Sequence, residues 1–393
     1  MPAKGESVDA DVVIAGGGVI GTAIAWRAAS EGFSVTLVDP DKNADKASLV
    51  AAGMLGPVSE SVFGERDLLN LNLLAVGRFP SFNEELEAAT GLITGLRTEG
   101  TLAVAYNAGD LAALNRLTEF RHSIGLNAEP LDGRQCRALE PFLAPTIRGG
   151  VLAIGDLSVD NRRYLAALRA AAANAGVKRL TGTVTAVAAG DGEATVSAFL
   201  DGAPGVTEIS AYDAVVAAGF ATSQVAGLPD EIRRAVRPVK GQLLRLRHPE
   251  TMPRVATRTI RAIVQGRDVY IVPRADGEVV VGATQEERDD RDITAGAVHD
   301  LLRDAVTALP AISELILAEA SAGLRPGSED NGPIVGRVGP GEPVIVATGH
   351  FRNGILLSAA TADAVAALLT GTEPDPAWAP FQPGRLEHPG GLR

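Results

Sequence analysis

Three glycines and one aspartate are spaced as in a site for a dinucleotide. Gly16, Gly18 and Gly21 follow the apolar run 11–15, and Asp39 ends a second apolar run eighteen residues after Gly21. In such a turn the first glycine permits a sharp exit from a strand, the second lets a diphosphate approach the backbone, and the third lets the helix pack closely. The helix start offers N–H groups, and the acid can accept ribose hydrogen bonds. The context predicts a diphosphate site rather than a purely structural turn.

Two later segments have a similar strand and glycine pattern. Residues 213–219 form an apolar strand that ends in Ala218 and Gly219, a common pattern that also suits a nucleotide sheet. Residues 344–355 read as a strand, a loop and a helix start. The positive end of that helix could stabilise the negative charge that a flavin gains on reduction. A capped surface helix is the alternative for this third segment.

Composition and charge restrict the class of protein. The chain has 393 residues, of which 46% are apolar and 4% aromatic, so small aliphatic side chains must build the core. This favours a buried parallel sheet covered by helices. The chain has 36 basic and 48 acidic residues, so its net charge is −12. Because nucleic-acid binding requires a basic surface, no nucleic-acid partner is expected.

Metal, disulfide and membrane functions find no support in the sequence. Cys136 is the single cysteine, and the five histidines are scattered, so neither a disulfide nor a metal site is predicted. Residues 1–8 do not resemble a secretory signal. The longest apolar helical run, 355–369, contains Asp363 and is shorter than a bilayer requires. We therefore expect a cytoplasmic protein without membrane contact.

The order of predicted elements indicates a discontinuous nucleotide domain that an antiparallel-sheet domain interrupts. A strand region is expected at 95–106, a loop at 40–60, and separate strands at 206–210 and 213–218. Helices are expected at 19–31, 66–79, 81–90, 108–125, 162–175, 295–308 and 355–369.

Several longer motifs resemble the D-amino acid oxidase family of FAD enzymes, and within it the glycine oxidases of thiamine biosynthesis. The resemblance covers nearly the whole chain. The motifs are residues 51–56, 238–241, 270–274, 281–284, 323–327 and 349–357.

This resemblance implies an α/β (α+β overall) fold, in which a glutathione-reductase-like FAD-binding domain carries an inserted, mostly antiparallel-sheet substrate domain. The bounds expected are 1–80, 150–235 and 323–378 for the FAD-binding domain and 81–149 and 236–322 for the substrate domain. An irregular tail would occupy 379–393. FAD would be bound non-covalently, the partners would be a small amino acid and molecular oxygen, and the protein would be a homotetramer.

The resemblance also implies roles for individual residues. Arg325 would grip the substrate carboxylate, Tyr270 would assist it, and Arg352 would lie beside the flavin; these three form the expected catalytic set. Gln285 and Asp268 depart from the family pattern near the substrate. The expected FAD-binding residues are Gly16, Gly18, Val19, Ile20, Gly21, Asp39, Pro40, Ser48, Ala51, Ala52, Gly53, Met54, Leu55, Val184, Ala218, Gly219, Arg325, His350, Arg352, Asn353, Gly354, Ile355 and Leu356.

Amine oxidation by a flavin moves a hydride from the substrate α-carbon to the flavin, so the protein must mainly orient the substrate. The expected reaction converts glycine, a small amine or a D-amino acid to an imine and then to an α-keto acid, ammonia and hydrogen peroxide. A D-amino acid dehydrogenase or a broad D-amino acid oxidase is the alternative enzyme. A flavin-binding sensor without turnover is a third reading, against which a carboxylate-binding arginine argues.

Overall fold

Two large β-sheets and the helices that cover them account for most of the described chain. The computed structural model describes residues 8–41, 46–190 and 192–387. The strands are β1 (Ala10–Ala15), β2 (Val35–Asp39), β3 (Met54–Leu55), β4 (Thr101–Ala105), β5 (Glu129–Asp132), β6 (Gly149–Ala153), β7 (Leu157–Ser158), β8 (Lys178–Gly190), β9 (Glu193–Leu200), β10 (Val206–Val216), β11 (Arg237–Arg247), β12 (Thr259–Val264), β13 (Arg267–Pro273), β14 (Glu278–Gly282), β15 (Ile316–Gly327), β16 (Ile334–Arg337) and β17 (Val344–Thr348). The α-helices are α1 (Val19–Ser30), α2 (Ala47–Val50), α3 (Arg66–Thr90), α4 (Ala108–Ser123), α5 (Gly133–Leu139), α6 (Asn161–Asn174), α7 (Asp230–Ala235), α8 (Ala295–Ala308) and α9 (Gly354–Thr370).

The first sheet is parallel at its centre. Strands β8, β2, β1, β10 and β17 lie side by side in that order and run in the same direction. Their carboxyl ends therefore meet at one edge, where open α/β sheets bind ligands. Strand β9 pairs antiparallel with β8 and β10, and β16 pairs antiparallel with β17. Helices α1, α3, α6 and α9 pack together over this sheet, in the largest apolar core.

The second sheet has eight strands in the order β15, β11, β14, β13, β12, β4, β6 and β5. Its neighbours are antiparallel except for β12 and β4. Helix α8 packs its apolar side against this sheet, in a second core. This combination of a parallel-centred sheet and an antiparallel one confirms the predicted fold class.

The predicted helices 66–79 and 81–90 are one continuous helix, α3, with Pro80 inside it. A proline inside a helix removes one backbone hydrogen bond and costs about 3 kcal/mol. Phe79 and Phe82 flank it and are fully buried in the first core. Burying two large aromatic side chains offsets that cost, which a local sequence pattern does not reveal.

Other local predictions were also wrong in their bounds. The two strands expected at 206–210 and 213–218 are the single strand β10, and the strand expected at 95–106 is limited to β4. The expected loop 40–60 contains α2 and β3. Strand β10 is continuous because β9, β1 and β17 supply partners along its length.

The division into two domains stays a prediction, but two of its bounds disagree with the sheets. Strands β6 and β15 belong to the second sheet. Residues 150–153 and 323–327, which the sequence assigned to the FAD-binding domain, therefore lie in the sheet expected for the substrate domain. Pairing with β4 and β11 decides this, and those partners are distant in sequence.

The expected irregular tail is partly ordered against the first sheet. Short 3₁₀ turns occupy Pro376–Phe381 and Pro383–Glu387, and residues 388–393 lie outside the described chain. Phe381 is buried in the first core. The Arg385 side chain donates a hydrogen bond of 2.6 Å to the Pro333 carbonyl oxygen. Packing thus holds a segment whose proline content predicted irregular backbone.

The helical stretch Phe351–Thr370 is long and apolar enough to span a membrane by length and composition. The expectation that this run was too short was therefore wrong. Two-thirds of its most apolar part is buried inside the protein, where α9 packs on α1 and α3. Apolarity on all sides is typical of a helix at the centre of a core. The absence of membrane contact stays a prediction.

Candidate active site

A cavity of about 490 Å³ lies at the carboxyl edge of the first sheet and is closed by strands β11, β13 and β15 of the second. It brings together residues from many separate parts of the chain. The expected site residues that line it are Gly16, Gly18, Val19, Ile20, Asp39, Pro40, Ser48, Ala51, Val184, Ala218, Gly219, Tyr270, Arg325, His350, Arg352, Gly354 and Ile355.

The glycine turn between β1 and α1 has the geometry that a diphosphate site requires. A Cβ atom on Gly16 would lie 2.4 Å from the Ala217 carbonyl oxygen, and one on Gly21 would lie 1.9 Å from the Gly16 carbonyl oxygen. Close backbone contacts therefore require both glycines. A Cβ on Gly18 would meet only the Ser48 hydroxyl oxygen, at 3.4 Å. Gly18 lines the cavity, so its lack of a side chain leaves room for a ligand.

Asp39 lies at the end of β2 with its carboxylate 3% exposed. One oxygen accepts a hydrogen bond from the Gly17 N–H at 2.6 Å, and the other accepts from the Lys46 ammonium at 2.5 Å and from the Asp41 N–H at 2.9 Å. Burial opposes ionisation, but the bonds from Lys46 and Gly17 outweigh it and lower the pKa of Asp39. Asp39 is thus ionised at the cavity wall, and its role as a ribose acceptor stays a prediction.

Some of the expected cofactor residues lie behind the cavity lining. A Cβ on Gly53 would lie 2.1 Å from the Val159 carbonyl oxygen, so backbone packing requires this glycine. Met54 and Leu55 form β3, which pairs with β7. The residues that support the cavity without lining it are Gly21, Ala52, Gly53, Met54, Leu55, Asn353 and Leu356.

Arg325 and Tyr270 reach the cavity from the second sheet. The Arg325 guanidinium donates a hydrogen bond of 3.2 Å to the Thr284 carbonyl oxygen. A Cβ on Gly241 would lie 2.2 Å from Arg325 Nη1, so this glycine makes the space that the guanidinium occupies. Gly282 does the same for the Tyr270 hydroxyl, which a Cβ there would meet at 2.4 Å. Burial raises the pKa of Tyr270 although the Arg325 charge opposes this, so Tyr270 is a neutral hydrogen-bond donor.

The turn before α9 contributes two charged or titratable side chains to the cavity. Arg352 forms an ion pair of 3.2 Å with Glu65, which also accepts a hydrogen bond of 2.8 Å from the Asn331 amide. His350 is buried, and its Nε2 lies 3.0 Å from the Thr361 hydroxyl oxygen. Burial lowers the pKa of His350 to about 3. The imidazole is therefore neutral at physiological pH, and the positive end of α9 faces the cavity through Gly354.

The cavity also has lining residues that the sequence did not predict. Lys46 forms an ion pair with Asp39, and the Arg291 guanidinium lies 5.3 Å from the centre of the Phe220 ring. Gly241 belongs to a motif that was recognised but given no role. No local sequence pattern predicted Arg291 as a cavity residue, because the loop after β14 brings it there only in the folded protein. Further lining residues that had no predicted role are Ala15, Gly17, Val38, Ala47, Val50, Thr183, Ala217, Ala221, Gln224, Val225, Leu243, Gly323, Leu324, Pro326, Ala347, Thr348 and Phe351.

The two expected departures near the substrate do not line the cavity. Asp268 is exposed and lies opposite Ile263, two residues before Tyr270 in β13. Gln285 is exposed as well. Neither side chain is therefore part of the cavity wall.

The residues fit FAD. A glycine turn, an ionised acid at the end of β2 and two helix N-termini face one cavity, and Gly18 leaves room for a diphosphate. Within the described residues, no group of three or more histidine, cysteine, aspartate or glutamate side chains could hold a metal ion. Burial raises the pKa of the Cys136 thiol to about 11, as expected for a small core residue.

The chain belongs to the FAD dependent oxidoreductase family (DAO), whose profile matches residues 11–368. It is 33% identical to glycine oxidase of Geobacillus kaustophilus, across 94% of this chain and 96% of that protein. The crystal structure of glycine oxidase from the same organism matches with a TM-score of 0.85 and 30% identity, covering 96% of this chain and 98% of that one.

A bifunctional ThiO/ThiG protein of Synechocystis is also 33% identical, across 96% of this chain. The chain spans about half of that relative, 54% of its length. These comparisons confirm the family resemblance, the fold class, the FAD cofactor and the classification as an enzyme. The roles of individual site residues stay predictions.

Proposed function

We propose that this enzyme oxidises glycine and similarly small amino acids. Glycine, oxygen and water would give glyoxylate, ammonia and hydrogen peroxide, with an imine as the first product. The similarity to proteins named glycine oxidase and ThiO/ThiG supports this activity and a role in supplying the imine for the thiazole of thiamine. The observation that carries the proposal is Arg325, held 3.2 Å from the Thr284 carbonyl oxygen in the cavity that contains the glycine turn.

The guanidinium can bind a substrate carboxylate through two parallel hydrogen bonds. Tyr270 lines the same cavity as a neutral donor and can hydrogen-bond one carboxylate oxygen. These contacts fix the α-carbon and leave the amine free to lose its proton to water. Bound FAD would supply the acceptor for the hydride that leaves the α-carbon. His350 is hydrogen-bonded to Thr361 and neutral, so it adds no charge that competes with Arg325.

The cavity walls favour a small substrate. Val50, Leu243 and Tyr270 line the cavity and pack in one apolar cluster. A Cβ on Gly323 would lie 3.1 Å from the Val50 Cβ, so the wall beside Arg325 is already in close contact. Such packing disfavours bulky substrate side chains, since a filled wall must move to admit them.

Purified protein containing FAD should release peroxide with glycine, and the comparison substrates are sarcosine and D-alanine. No peroxide with any of the three would refute an oxidase. Turnover with a dye as electron acceptor, but without peroxide, would indicate a D-amino acid dehydrogenase. A preference for larger D-amino acids would indicate a broad D-amino acid oxidase.

The Arg325→Ala variant tests the carboxylate contact. Truncating one partner of a buried charged contact costs about 2–5 kcal/mol, so KM for glycine should rise at least about thirtyfold while FAD stays bound. The matched control is Arg234→Ala, since Arg234 is 78% exposed and pairs with Asp230. An unchanged KM in the Arg325 variant would remove this residue from substrate binding.

We also propose that the protein is a cytoplasmic homotetramer, and that its two domains are divided as given above except for residues 150–153 and 323–327, which lie in the second sheet. Exposed apolar side chains on the edge strand β15, Ile316 and Leu317, support self-association, since an unpaired apolar edge is a common contact surface. Light scattering during size-exclusion chromatography measures the mass, and a monomer at working concentration would overturn the assembly.

A further inference from the structure

A cluster of three buried polar side chains lies between the two sheets, outside the cavity lining. Arg245 is 1% exposed, Arg274 is 2% exposed and Asn161 is fully buried. Arg245 comes from β11, Arg274 follows β13, and Asn161 begins α6. Arginine is seldom buried unless its donors are bonded, so two fully buried guanidiniums side by side require an explanation.

The three side chains are joined through one oxygen atom. The Asn161 Oδ1 accepts a hydrogen bond of 3.1 Å from Arg274 and one of 3.3 Å from Arg245. Arg245 also forms an ion pair with Glu278. Nη1 of Arg274 donates a hydrogen bond of 2.7 Å to the Val159 carbonyl oxygen. The cluster is therefore rigid, because each member is held by at least two contacts.

The same cluster binds the backbone of segment 48–52. The Asn161 amide donates a hydrogen bond of 2.7 Å to the Ser48 carbonyl oxygen. Arg245 donates one of 3.3 Å to the Leu49 carbonyl oxygen. Arg274 donates one of 2.6 Å to the Ala52 carbonyl oxygen. Three carbonyl groups within five residues are thus bonded to side chains. The buried carbonyls of the one-turn helix α2 and of the residues after it need such partners.

Segment 48–52 forms part of the cavity wall on its other side. Ser48 and Ala51 line the cavity. The Ser48 hydroxyl also accepts a hydrogen bond of 3.0 Å from the N–H of Val19, at the start of α1. The segment is therefore fixed between the diphosphate turn on one side and the buried cluster on the other.

Arg274 differs from Arg245 in its charge balance. Within the described residues, the hydrogen bonds of Arg274 go to carbonyl and amide oxygens, whereas Arg245 forms an ion pair with Glu278. Burial lowers the pKa of Arg274 to about 10, which still leaves it cationic at neutral pH. A cation directly behind segment 48–52 favours negative charge in the cavity, since a buried charge is weakly screened.

We propose that Asn161, Arg245 and Arg274 are positioning residues that hold segment 48–52 in the wall of the cavity, and that the Arg274 cation would make a bound flavin easier to reduce. This inference rests on the family's cofactor and on the expected contact of Ser48, Ala51 and Ala52 with FAD. It does not require that glycine is the substrate. Reduced flavin gains negative charge, so a nearby cation shifts its equilibrium toward the reduced form.

The test measures the reduction potential and the FAD dissociation constant of Arg274→Met and Arg274→Lys. Methionine keeps much of the volume without the charge, and lysine keeps the charge without the planar fork. We expect Arg274→Met to shift the flavin equilibrium at least tenfold toward the oxidised form, which is about 30 mV for a two-electron couple. Arg274→Lys should keep most of the potential but weaken FAD binding.

The control is Arg254→Met. Arg254 donates hydrogen bonds to the carbonyl oxygens of Arg274 and Ala275 but does not touch segment 48–52. Its potential and FAD affinity should match those of the unchanged protein. An Arg274→Met protein with unchanged potential would overturn the charge role.

Asn161→Ala keeps both cations and tests the segment alone. We expect FAD affinity to fall at least tenfold with a smaller change in potential, and an unchanged affinity would overturn the positioning role. If Arg274→Met does not fold, the reduction potential of Arg274→Lys tests the charge role instead. A large drop in that potential would contradict the proposal, because lysine retains the charge. Chemical reduction of the flavin provides both readouts, so they stand even if glycine is not oxidised.

Discussion

Replacing Gly241 with alanine should displace the Arg325 guanidinium while leaving FAD bound. A Cβ at this position would lie 2.2 Å from Nη1, 2.3 Å from Nη2 and 2.4 Å from Cζ of Arg325. Favourable contacts between such atoms are about 3.5 Å or longer, so the group must move by more than about 1 Å. The end of a long side chain moves more easily than a strand, and we expect the fold to persist.

The displacement removes the bond from Arg325 to the Thr284 carbonyl oxygen and misaligns the carboxylate contact. A misplacement of about 1 Å can cost roughly a hundredfold in rate, and full truncation of such a contact costs about 2–5 kcal/mol. We expect kcat/KM for glycine to fall roughly 10- to 100-fold, mostly through KM. The double variant with Arg325→Ala should be no worse than Arg325→Ala alone, because both changes remove one interaction.

The assay is steady-state peroxide release with glycine, together with the visible absorbance of bound FAD. Gly205→Ala is the matched control, because a Cβ there meets nothing within 4 Å. An unchanged KM in Gly241→Ala would refute the reasoning, since the guanidinium would then not need the space that this glycine leaves. Loss of FAD would also contradict it.

Two further predictions concern Asp39 and His350. Asp39→Asn should raise the FAD dissociation constant roughly 10- to 100-fold, since hydrogen bonds to charged groups contribute about 1.5–3 kcal/mol. The measurement is a reconstitution titration with FAD. The control is Asp11→Asn, which lies outside the cavity lining and should leave the dissociation constant unchanged. Because burial lowers the pKa of His350 from 6.5 to about 3, the unfolded chain binds a proton that the folded protein does not, and the free energy of unfolding should fall as pH drops through that range. His350→Gln should lose less stability between pH 6.5 and 4 in urea titrations, and equal losses in both proteins would contradict the assigned pKa.

Many individual elements could be predicted because their signals are local. Helix α8 has the expected bounds, Ala295–Ala308, since its apolar residues recur with helical spacing. The glycine turn and Asp39 fall within one strand–helix–strand unit, where sequence distance and spatial distance agree. The family motifs pointed to Arg325 and Tyr270 as cavity residues, and both do line the cavity.

The supporting residues could not be predicted, because their partners are distant in sequence. Asn161 and Arg274 are 113 residues apart, yet their side chains lie 3.1 Å apart. No periodic pattern marks an arginine that will be buried, since arginines are mostly exposed in folded proteins. Helix α3 shows the converse, where burial of Phe79 overrides the local effect of Pro80.

By itself the sequence determined the local frame of this protein, namely the strand, glycine turn and helix that receive a diphosphate, the acid at the end of β2 and the family of FAD enzymes. The tertiary structure alone decided what surrounds that frame. Strand β15 pairs with β11 so that Arg325 lies opposite Val239, and its guanidinium fills the space left by Gly241, a diagonal neighbour. The register of two strands about 85 residues apart sets this contact, because it depends on which backbone groups pair and not on the residues adjacent in the chain.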